Sequence, residues 1–562
     1  MRAFFRFTAL CGLLLLIGTS AFAQGTTATL TGTVTQDGAP LPGVTVTITS
    51  PAMQGTKTTV TSDNGGYLFP ALPPGMYTVT FEMSGMQTIT EKSPVSLSQT
   101  TRVNAEMRLS AVAEAITVTA SAPAVLESPQ IARTFTRAEM DELPVARTII
   151  SAVNLSPGVN SGIAGPSISG AASSENVYLV NGVQVNENLR GQPHDLFIED
   201  AIQETTVLTG GISAEYGRFT GGVISTVTKS GGNEFSGSFR DSLTNADWQK
   251  KTPWPTEADH IDDIGEVYEG TLGGFIMRDR LWFFAAGRQV ETTSQAFTSI
   301  TNIPFGRGTE ETRMEGKLTA QITPKYSIVG SYIDVDRVQK NNTFGTIMDL
   351  RSLDVERSLP NTLGTIVFNG VITTNWFVEA NYGKKEFAFV GSGADSTDRI
   401  EGTLMLDTSG RRYWSPTFCG VCTDEERNND AYLAKTTYYL SSRSLGSHTI
   451  VGGYENYAEE RIVNNHQSGS NFRITASTVI VNGTPTPRFD SATRITWNPI
   501  FKFSEGTDFQ TNGLFVNDRW DLNDRLSFNV GVRFDKNDGK DADGNIVAND
   551  SEFSPRLGAQ FD

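Results

Sequence analysis

After Asn233, apolar and polar residues alternate strictly over runs of about ten positions, the length and pattern of a tilted membrane strand. Met314, Gly316, Leu318, Ala320 and Ile322 alternate with Glu315, Lys317, Thr319, Gln321 and Thr323. Trp376, Val378, Ala380 and Tyr382 alternate with Asn375, Phe377, Glu379 and Asn381. Leu526, Phe528, Val530, Val532 and Phe534 alternate with Arg525, Ser527, Asn529, Gly531 and Arg533. Successive strand residues face opposite sides of a sheet, so each run offers one apolar and one mostly polar face. The connections sort into two kinds. Tight turns fall near Asp279-Arg280, Pro324-Lys325, Thr374-Asn375 and Asn523-Asp524, and long polar stretches near 241–265, 337–361, 388–430, 458–508 and 535–551. A soluble β-sandwich does not sort its connections this way, whereas a transmembrane barrel does. The pattern predicts roughly twelve antiparallel strands by Asp562, the last opening at Glu552.

The N-terminal pattern is different. Thr29–Thr35 alternates, Asp37-Gly38 turns, and Leu41-Pro42-Gly43 leads into Val44–Thr49. Lys57–Thr61, the turn Asp63-Asn64-Gly65-Gly66, Tyr67–Phe69, Leu72-Pro73-Pro74-Gly75 and Tyr77–Glu82 follow. Short strands punctuated by Gly, Pro and Asn predict a β-sandwich over 24–110. Further on, Val177–Val180 reads as a buried strand before an Asn181-Gly182 turn that favours positive φ. The run from Ile202 to Gly237, I-Q-E-T-T-V-L-T-G-G-I-S-A-E-Y-G-R-F-T-G-G-V-I-S-T-V-T-K-S-G-G-N-E-F-S-G, places five glycines between two β-branched runs, Thr205–Leu208 and Val223–Thr228. Glycine at that density marks tight turns or close backbone approach. By glycine pattern alone, the hairpin of any β protein reads as well.

Composition narrows the setting. Arg2 and Arg6, the apolar run Ala9–Gly18 and the small-x-small site Ala21-Phe22-Ala23 make residues 1–23 a secretory signal. Cys11 makes no lipoprotein case, because Leu10 precedes it and the apolar run follows it. No later apolar run reaches the about 20 residues of a membrane helix, so insertion is expected through strands. Processing leaves 43 basic and 62 acidic residues, a formal charge of −19. Nucleic acid as a partner is thereby excluded, since it requires a basic footprint. The apolar share of 38% is low for so large a soluble core but suits a barrel with a polar lumen.

Ordered motifs carry two resemblances. The run G-x-P-L-P-G-V-x-V, T-x-x-x-G-x-Y-x-F and L-P-P-G-x-Y-x-V-x-F, with Gly32, Pro40, Gly43, Gly66, Tyr67, Leu72, Gly75 and Tyr77 at the matching positions, resembles a carboxypeptidase-regulatory-like domain. The resemblance implies a transthyretin-like, carbohydrate-binding-like sandwich in which these residues build turns and core. No peptidase is implied, because none of His194, His260, His448 and His466 lies in an H-x-x-E or H-E-x-x-H pattern. Leu143-Pro144-Val145, Leu155-Ser156-Pro157-Gly158-Val159, Ile168–Asn186 and Ile202–Gly237, in that order, resemble the plug of TonB-dependent outer-membrane receptors. With the N-terminal sandwich, the chain is similar to the Oar-like branch of that family.

The resemblance implies an all-β-dominated chain: signal peptide 1–23, sandwich 24–110, linker and TonB box 111–122, mixed α/β plug 123–232 and transmembrane β-barrel from 233 to 562. Its TonB box is expected at Glu114, Ala115, Ile116, Thr117, Val118, Thr119 and Ala120, where a free strand offers unpaired backbone groups to a partner's sheet edge; by its residues alone the segment reads as well as the last strand of the sandwich or an inert linker. The residues taken as the plug signature are Asn181, Gly182, Gly210, Glu215, Tyr216, Gly217, Arg218, Gly221 and Gly222. The family usually carries Asp at the place of Asn181, a departure that keeps the turn chemistry. Plugged transporters use about 22 strands, so the C-terminal half of the barrel is expected to be missing. The implied partners are TonB with its inner-membrane energising proteins, outer-membrane lipid, and an extracellular ligand such as an oligosaccharide or polypeptide. Non-enzymatic transport across the outer membrane is the implied function; a surface adhesin without transport is the alternative.

Three further groups carry candidate chemistry. Cys419 and Cys422, in a long loop, are expected to form a small disulfide ring. Asp541, Asp543 and Asn545 count as positions 1, 3 and 5 of a calcium loop with Glu552 at 12, but Ile546 stands where glycine is required, so calcium is a weak candidate and no other cofactor is expected. Glu199, Asp200, Glu204, Glu215 and Arg218 are expected to pair with charges on the barrel lumen and hold the plug.

Overall fold

The computed structural model describes residues 27–53, 55–109, 116–119, 130–143, 148–162, 165–187, 191, 196–248, 250, 262–343, 345–392, 398–400, 402–414, 424–442, 445–463, 468–499, 506–523 and 525–561. The signal segment, Cys419, Cys422, His194, His260, His466 and the box positions Glu114, Ala115 and Ala120 lie outside them.

The N-terminal unit is a sandwich of two five-stranded sheets. In one, Ala28–Gln36 pairs with Gly66–Leu72 and with the short strands Thr100–Arg102 and Ala105–Glu106. In the other the order is Ile116–Thr119, Ile89–Val95, Gly75–Glu82, Thr45–Thr49 and Thr56–Val60. Inward residues from both sheets, including Leu30, Val46, Ile48, Tyr67, Tyr77, Val79 and Phe81, close one core. The buried tyrosines keep their hydroxyls satisfied: Tyr67 donates to the Val103 carbonyl at 2.6 Å and Tyr77 to that of Pro73 at 2.7 Å. Gly32 is required because a Cβ there would lie 1.9 Å from the Val103 carbonyl oxygen.

The plug is a third five-stranded sheet, ordered Ile131–Thr136, Ile202–Gly210, Val223–Thr228, Val177–Val180 and Val183–Gln184. Two short helices, Arg137–Glu142 and Ile149–Val153, cover one face. The first opens on a capping box in which Thr136 and Glu139 satisfy each other's backbone donors. Every residue of Val177–Val180 and Val223–Thr228 is buried: Tyr178, Val180 and Ile224 belong to a core shared by the helices and by Ile333, Val335 and Leu363 of the wall, and Val177, Leu179 and Val223 pack with Ile212 and Tyr216 of the plug itself.

The barrel wall is a continuous antiparallel path of twelve strands from Ser236–Asn245 to Ile546–Phe561, with Asp354–Ser358 paired to its side. The alternation predicted from sequence is present with a barrel's polarity. Met314 and Leu318 are 60% and 52% exposed, whereas Glu315 and Lys317 between them are 3% and 4% exposed against the plug. Turns near Asp279-Arg280, Pro324-Lys325 and Thr374-Asn375 are tight, as expected. Two expectations are corrected. The last strand opens at Ile546 rather than Glu552, and the loop expected over 535–551 is only the turn Asp541–Asn545, because Leu526–Lys540 and Ile546–Phe561 continue pairing across most of that stretch.

At the long-loop end, segments from two loops build a further sheet: Leu404–Asp407, Arg412–Trp414, Phe472–Val481, Thr484–Arg488 and Arg494–Trp497. Met348, Met405, Tyr413 and Ala476 form its small core, and Ile347 bridges to Arg412 from a third loop. At the short-turn end the sandwich meets the barrel rim: Leu68 packs on Phe377 and Tyr439, and a Cβ on Gly66 would lie 2.7 Å from the Tyr439 hydroxyl.

Candidate functional site

The run Ala214–Arg218 lies against the wall, and each residue has a distinct contact. The Ala214 N–H donates to Asn517 Oδ1 at 3.1 Å. The Glu215 carboxylate takes Lys435 Nζ at 3.0 Å, and Lys435 also holds Glu379 at 2.9 Å. Tyr216 is buried with Val177, Leu179, Leu208, Ile212 and Val223. Gly217 has no space for a side chain, since a Cβ would fall 2.4 Å from the guanidinium of Arg533. Arg533 spans the seam: it donates to the Glu215 carbonyl at 3.2 Å, to Asp535 at 2.8 Å, and to Glu455. Arg218 stacks its guanidinium 3.7 Å from the Tyr457 ring centroid and faces Glu459 at 3.6 Å.

The remaining plug glycines answer close approaches inside the plug. A Cβ on Gly221 would fall 2.1 Å from Asn176 Oδ1, one on Gly222 2.6 Å from the Leu208 carbonyl, and one on Gly210 3.1 Å from Ile131. Asn181 and Gly182 both take positive φ, 47° and 77°, and the asparagine does more than turn the chain. Its Oδ1 accepts from the Thr228 N–H and hydroxyl, each at 3.1 Å, and from Lys317 Nζ at 3.3 Å. Thr228 in turn donates to Glu315, and Asn381 donates to the Gly182 carbonyl at 2.9 Å. The Asn181-Gly182 turn is thus tied to three barrel residues.

A second charged group surrounds the turn Glu199–Ala201. Arg288 meets Glu199 at 3.1 Å and Glu269 at 3.2 Å; Arg313 meets Glu311 at 2.6 Å and donates to the Phe197 carbonyl at 2.7 Å. Burial pushes the Glu199 carboxyl above its ordinary range, opposed by Arg313 and Arg288. Asp200 takes Arg240 of the first barrel strand at 3.2 Å and Arg137 of the plug at 2.7 Å. A third group joins plug Glu187 to Arg427, which also holds Glu425 at 2.6 Å.

Four of the five expected plug charges therefore reach barrel partners. The exception is Glu204, which accepts instead from the Leu97 N–H of the sandwich at 2.5 Å because its strand faces the sandwich and not the wall. Reasoning from sequence did not single out Glu187 or the barrel partners Lys435, Arg427, Arg288, Arg313 and Arg533. Their signal was present: each is a charge on the polar face of a period-two strand or in the plug beside one. Inward Ile333, Val335 and Leu363, which pack on the plug core, carry no such signal, because they break the polar-lumen rule.

Ile116–Thr119 is a strand, paired in parallel with Ile89–Val95. Asp541, Asp543 and Asn545 do not assemble as a ligand set. Asp541 Oδ1 accepts from the N–H groups of Asp543 at 2.9 Å and Asn545 at 2.8 Å, so its carboxylate closes the hairpin. Among the described residues no group of three or more His, Cys, Asp or Glu has metal-holding geometry.

A barrel wall whose lumen is filled by a folded domain, fastened through inward charges, defines a plugged outer-membrane β-barrel. Family profiles agree: the carboxypeptidase regulatory-like domain matches residues 29–108, the TonB-dependent receptor plug domain 124–223, and the TonB dependent receptor-like β-barrel 319–562. The chain belongs to the TonB-dependent receptor family, whose members are non-enzymatic barrels of the outer membrane with the plug facing the periplasm. It is 34% identical over 291 residues to the TonB-dependent transporter Oar of Myxococcus xanthus, a match spanning 48% of this chain and 27% of that one. Among solved structures, the siderophore receptor PirA from Acinetobacter baumannii matches with a TM-score of 0.54 at 15% identity, over 77% of this chain and 59% of that one. The outer membrane transporter YddB from Escherichia coli matches with a TM-score of 0.53 at 16% identity, over 77% and 58%. At such identities these two show the fold alone.

Proposed function

We propose that the chain acts as a receptor-transporter that captures a large extracellular ligand, an oligosaccharide or a polypeptide, and moves it with energy delivered by TonB. The observation that carries this reading is how the plug is fastened. Glu187–Arg427, Glu199–Arg288, Asp200–Arg240 and Glu215–Lys435 are side-chain ion pairs, each of which water can replace when the plug shifts. A plug meant to stay would be better served by a continuous apolar seam. One meant to move is suited to bonds that break and re-form without exposing a core. Ligand capture falls to the sheet at the long-loop end, where Ile480, Phe489, Ile495 and Trp497 stand exposed; aromatic and apolar residues of this kind suit sugar faces and extended peptides. TonB takes Ile116–Thr119 as an added strand.

The test is capture of the full chain, in detergent micelles, by the periplasmic C-terminal domain of TonB, comparing wild type with Val118→Pro. Proline removes a backbone donor from the strand, so capture is expected to be lost. Equal capture of both, or of neither, removes energy coupling and leaves the surface adhesin.

A further inference from the structure

Where sandwich, plug and barrel wall meet, they enclose a chamber of about 500 Å³, inside the roughly 300–1,000 Å³ of small-molecule sites. Each body contributes one lysine to its lining: Lys57 from the sandwich, Lys229 from the plug and Lys317 from the wall. Among the described residues no Asp or Glu lines it, in a strongly acidic chain. The carboxylates near enough to act on these lysines are engaged elsewhere. Glu379, which acts on Lys57, holds Lys435 at 2.9 Å and accepts from Thr27 at 2.7 Å. Asp200 and Asp141, which act on Lys229, hold Arg137 at 2.7 and 2.6 Å and share Arg240. Glu315, which acts on Lys317, accepts from Thr228. Lys317 uses two of its three N–H donors on neutral oxygens, the Thr228 carbonyl at 2.8 Å and Asn181 Oδ1 at 3.3 Å. Lys57 donates to the Ala71 carbonyl at 3.4 Å. Burial lowers the Lys57 ammonium to about 8, against the pull of Glu379.

Cations drawn out of water without a paired carboxylate suit an anionic ligand. The rest of the lining says what carries the charge. Thr319, Ser327 and Thr365 face the chamber from adjacent wall strands, and Asn369 beside them keeps a buried Oδ1 without a partner. Hydroxyls and amides both donate and accept, as sugar hydroxyls do. Met53 and Pro74 of the sandwich add apolar surface for a ring face. We propose that this chamber binds a carboxylate-bearing sugar, and that the oligosaccharide the chain transports is an acidic one. The second statement rests on the reading of the chain as a transporter. A uronic-acid chain carries a carboxylate on each ring and so matches lysines spread over three bodies, whereas a bare inorganic anion makes no use of the hydroxylated wall.

The experiment is calorimetric titration of the full chain in micelles with trigalacturonate, set against neutral maltotriose and inorganic phosphate. Lys57→Gln and Lys229→Gln each remove one charge and keep a polar side chain, in two different bodies. The expected result is trigalacturonate binding that weakens about tenfold or more in each variant, with unfolding midpoints near that of wild type and maltotriose bound at least tenfold more weakly than trigalacturonate. No trigalacturonate binding to wild type overturns the proposal. Equal binding to all three proteins does so too, and puts the sugar at another site. Maltotriose bound as tightly as trigalacturonate removes the role of charge, and phosphate bound as tightly, with the same dependence on the lysines, leaves a bare anion site and no sugar site. Trigalacturonate binding that responds to both variants while TonB captures neither wild type nor Val118→Pro overturns the statement about cargo, and locates the failure in the transport reading and not in the chamber.

Discussion

Two bodies sit against the barrel wall, held in opposite ways. The plug meets the wall through clusters of buried charge, with Arg533, Lys435, Arg427, Arg288 and Arg313 each serving two or more acceptors. The sandwich meets the rim through isolated contacts, Arg102 to Asp521 at 2.9 Å, Thr27 to Glu379 at 2.7 Å and the small apolar group of Leu68, Phe377 and Tyr439, and meets the plug through Leu97 to Glu204. Between the two closures lies a cavity of about 500 Å³, lined by Met53, Pro74, Lys57, Thr228 and Lys317 among others. Networks of buried charge fix geometry while the site is dry, since each group lost leaves another charge unpaired, and release it once water enters the seam. Isolated contacts near water hold loosely. The difference separates a body that is positioned from one that is merely parked.

The sharpest way to break the comparison is Arg533→Met. It strands Glu455 and Asp535 in the seam and is expected to cost about 3–5 kcal/mol, read as a lower thermal unfolding midpoint in micelles and faster proteolysis of the plug. A loss below about 1 kcal/mol would put the plug seam in the same class as the sandwich seam.

Glu204, the one plug charge given to the sandwich, yields a smaller effect that depends on pH. Burial raises its carboxyl to about 7. A carboxyl whose pKa is raised by folding is buried at a cost when charged. The cost is complete above pH 7 and fades as pH falls from about 7 toward its ordinary value of 4.5. Thermal stability of the full chain is therefore expected to rise between pH 8 and pH 5.5, by at most about 2 kcal/mol. Glu204→Gln is expected to be more stable than wild type at pH 8 and to lose that share of the pH dependence. Parallel pH profiles for the two proteins would refute the assignment.

The smallest effect belongs to Arg102→Ala at the partly exposed rim. A cost of about 1 kcal/mol or less is expected, visible as faster hydrogen exchange where the sandwich meets the barrel and no change in plug proteolysis. A change in the plug would mean that the two closures are one.

How much of this was legible beforehand follows from which forces act locally. The strand Val177–Val180, its Asn181-Gly182 turn and the faces of Met314–Thr323 could be read directly, because turn chemistry and period two are written in neighbouring residues. The acidic plug residues were legible as a group, but their partners were not. Which inward charge lies opposite Glu215 depends on strand register and barrel curvature, which no local window contains. That Ile116–Thr119 is the last strand of the sandwich was an open reading, but which strand it pairs with was not legible, since four β-branched residues fit any open edge. The loop sheet around Met405 and Tyr413 escaped notice because its strands are short and are brought together from separate loops. The extra length of the last hairpin was obscured by Asp and Asn, which here occupy strand positions as well as the turn.

The order of the plug sheet also bears on the force needed to open it. Ile131–Thr136 is its edge strand, pairing only with Ile202–Gly210, from Ile131 opposite Gly210 to Thr136 opposite Glu204. It follows Ile116–Thr119 in the chain, and it lies on the side of the sandwich, where Gln99 donates to Thr134 at 2.7 Å. On the proposed TonB-coupled reading, a pull on Ile116–Thr119 reaches the plug sheet first at this edge strand. Such a load meets the rungs in sequence, as in unzipping, and the peak force is that of one rung at a time. On that reading the plug opens under a weak, sustained tug that would not shear the same sheet end to end.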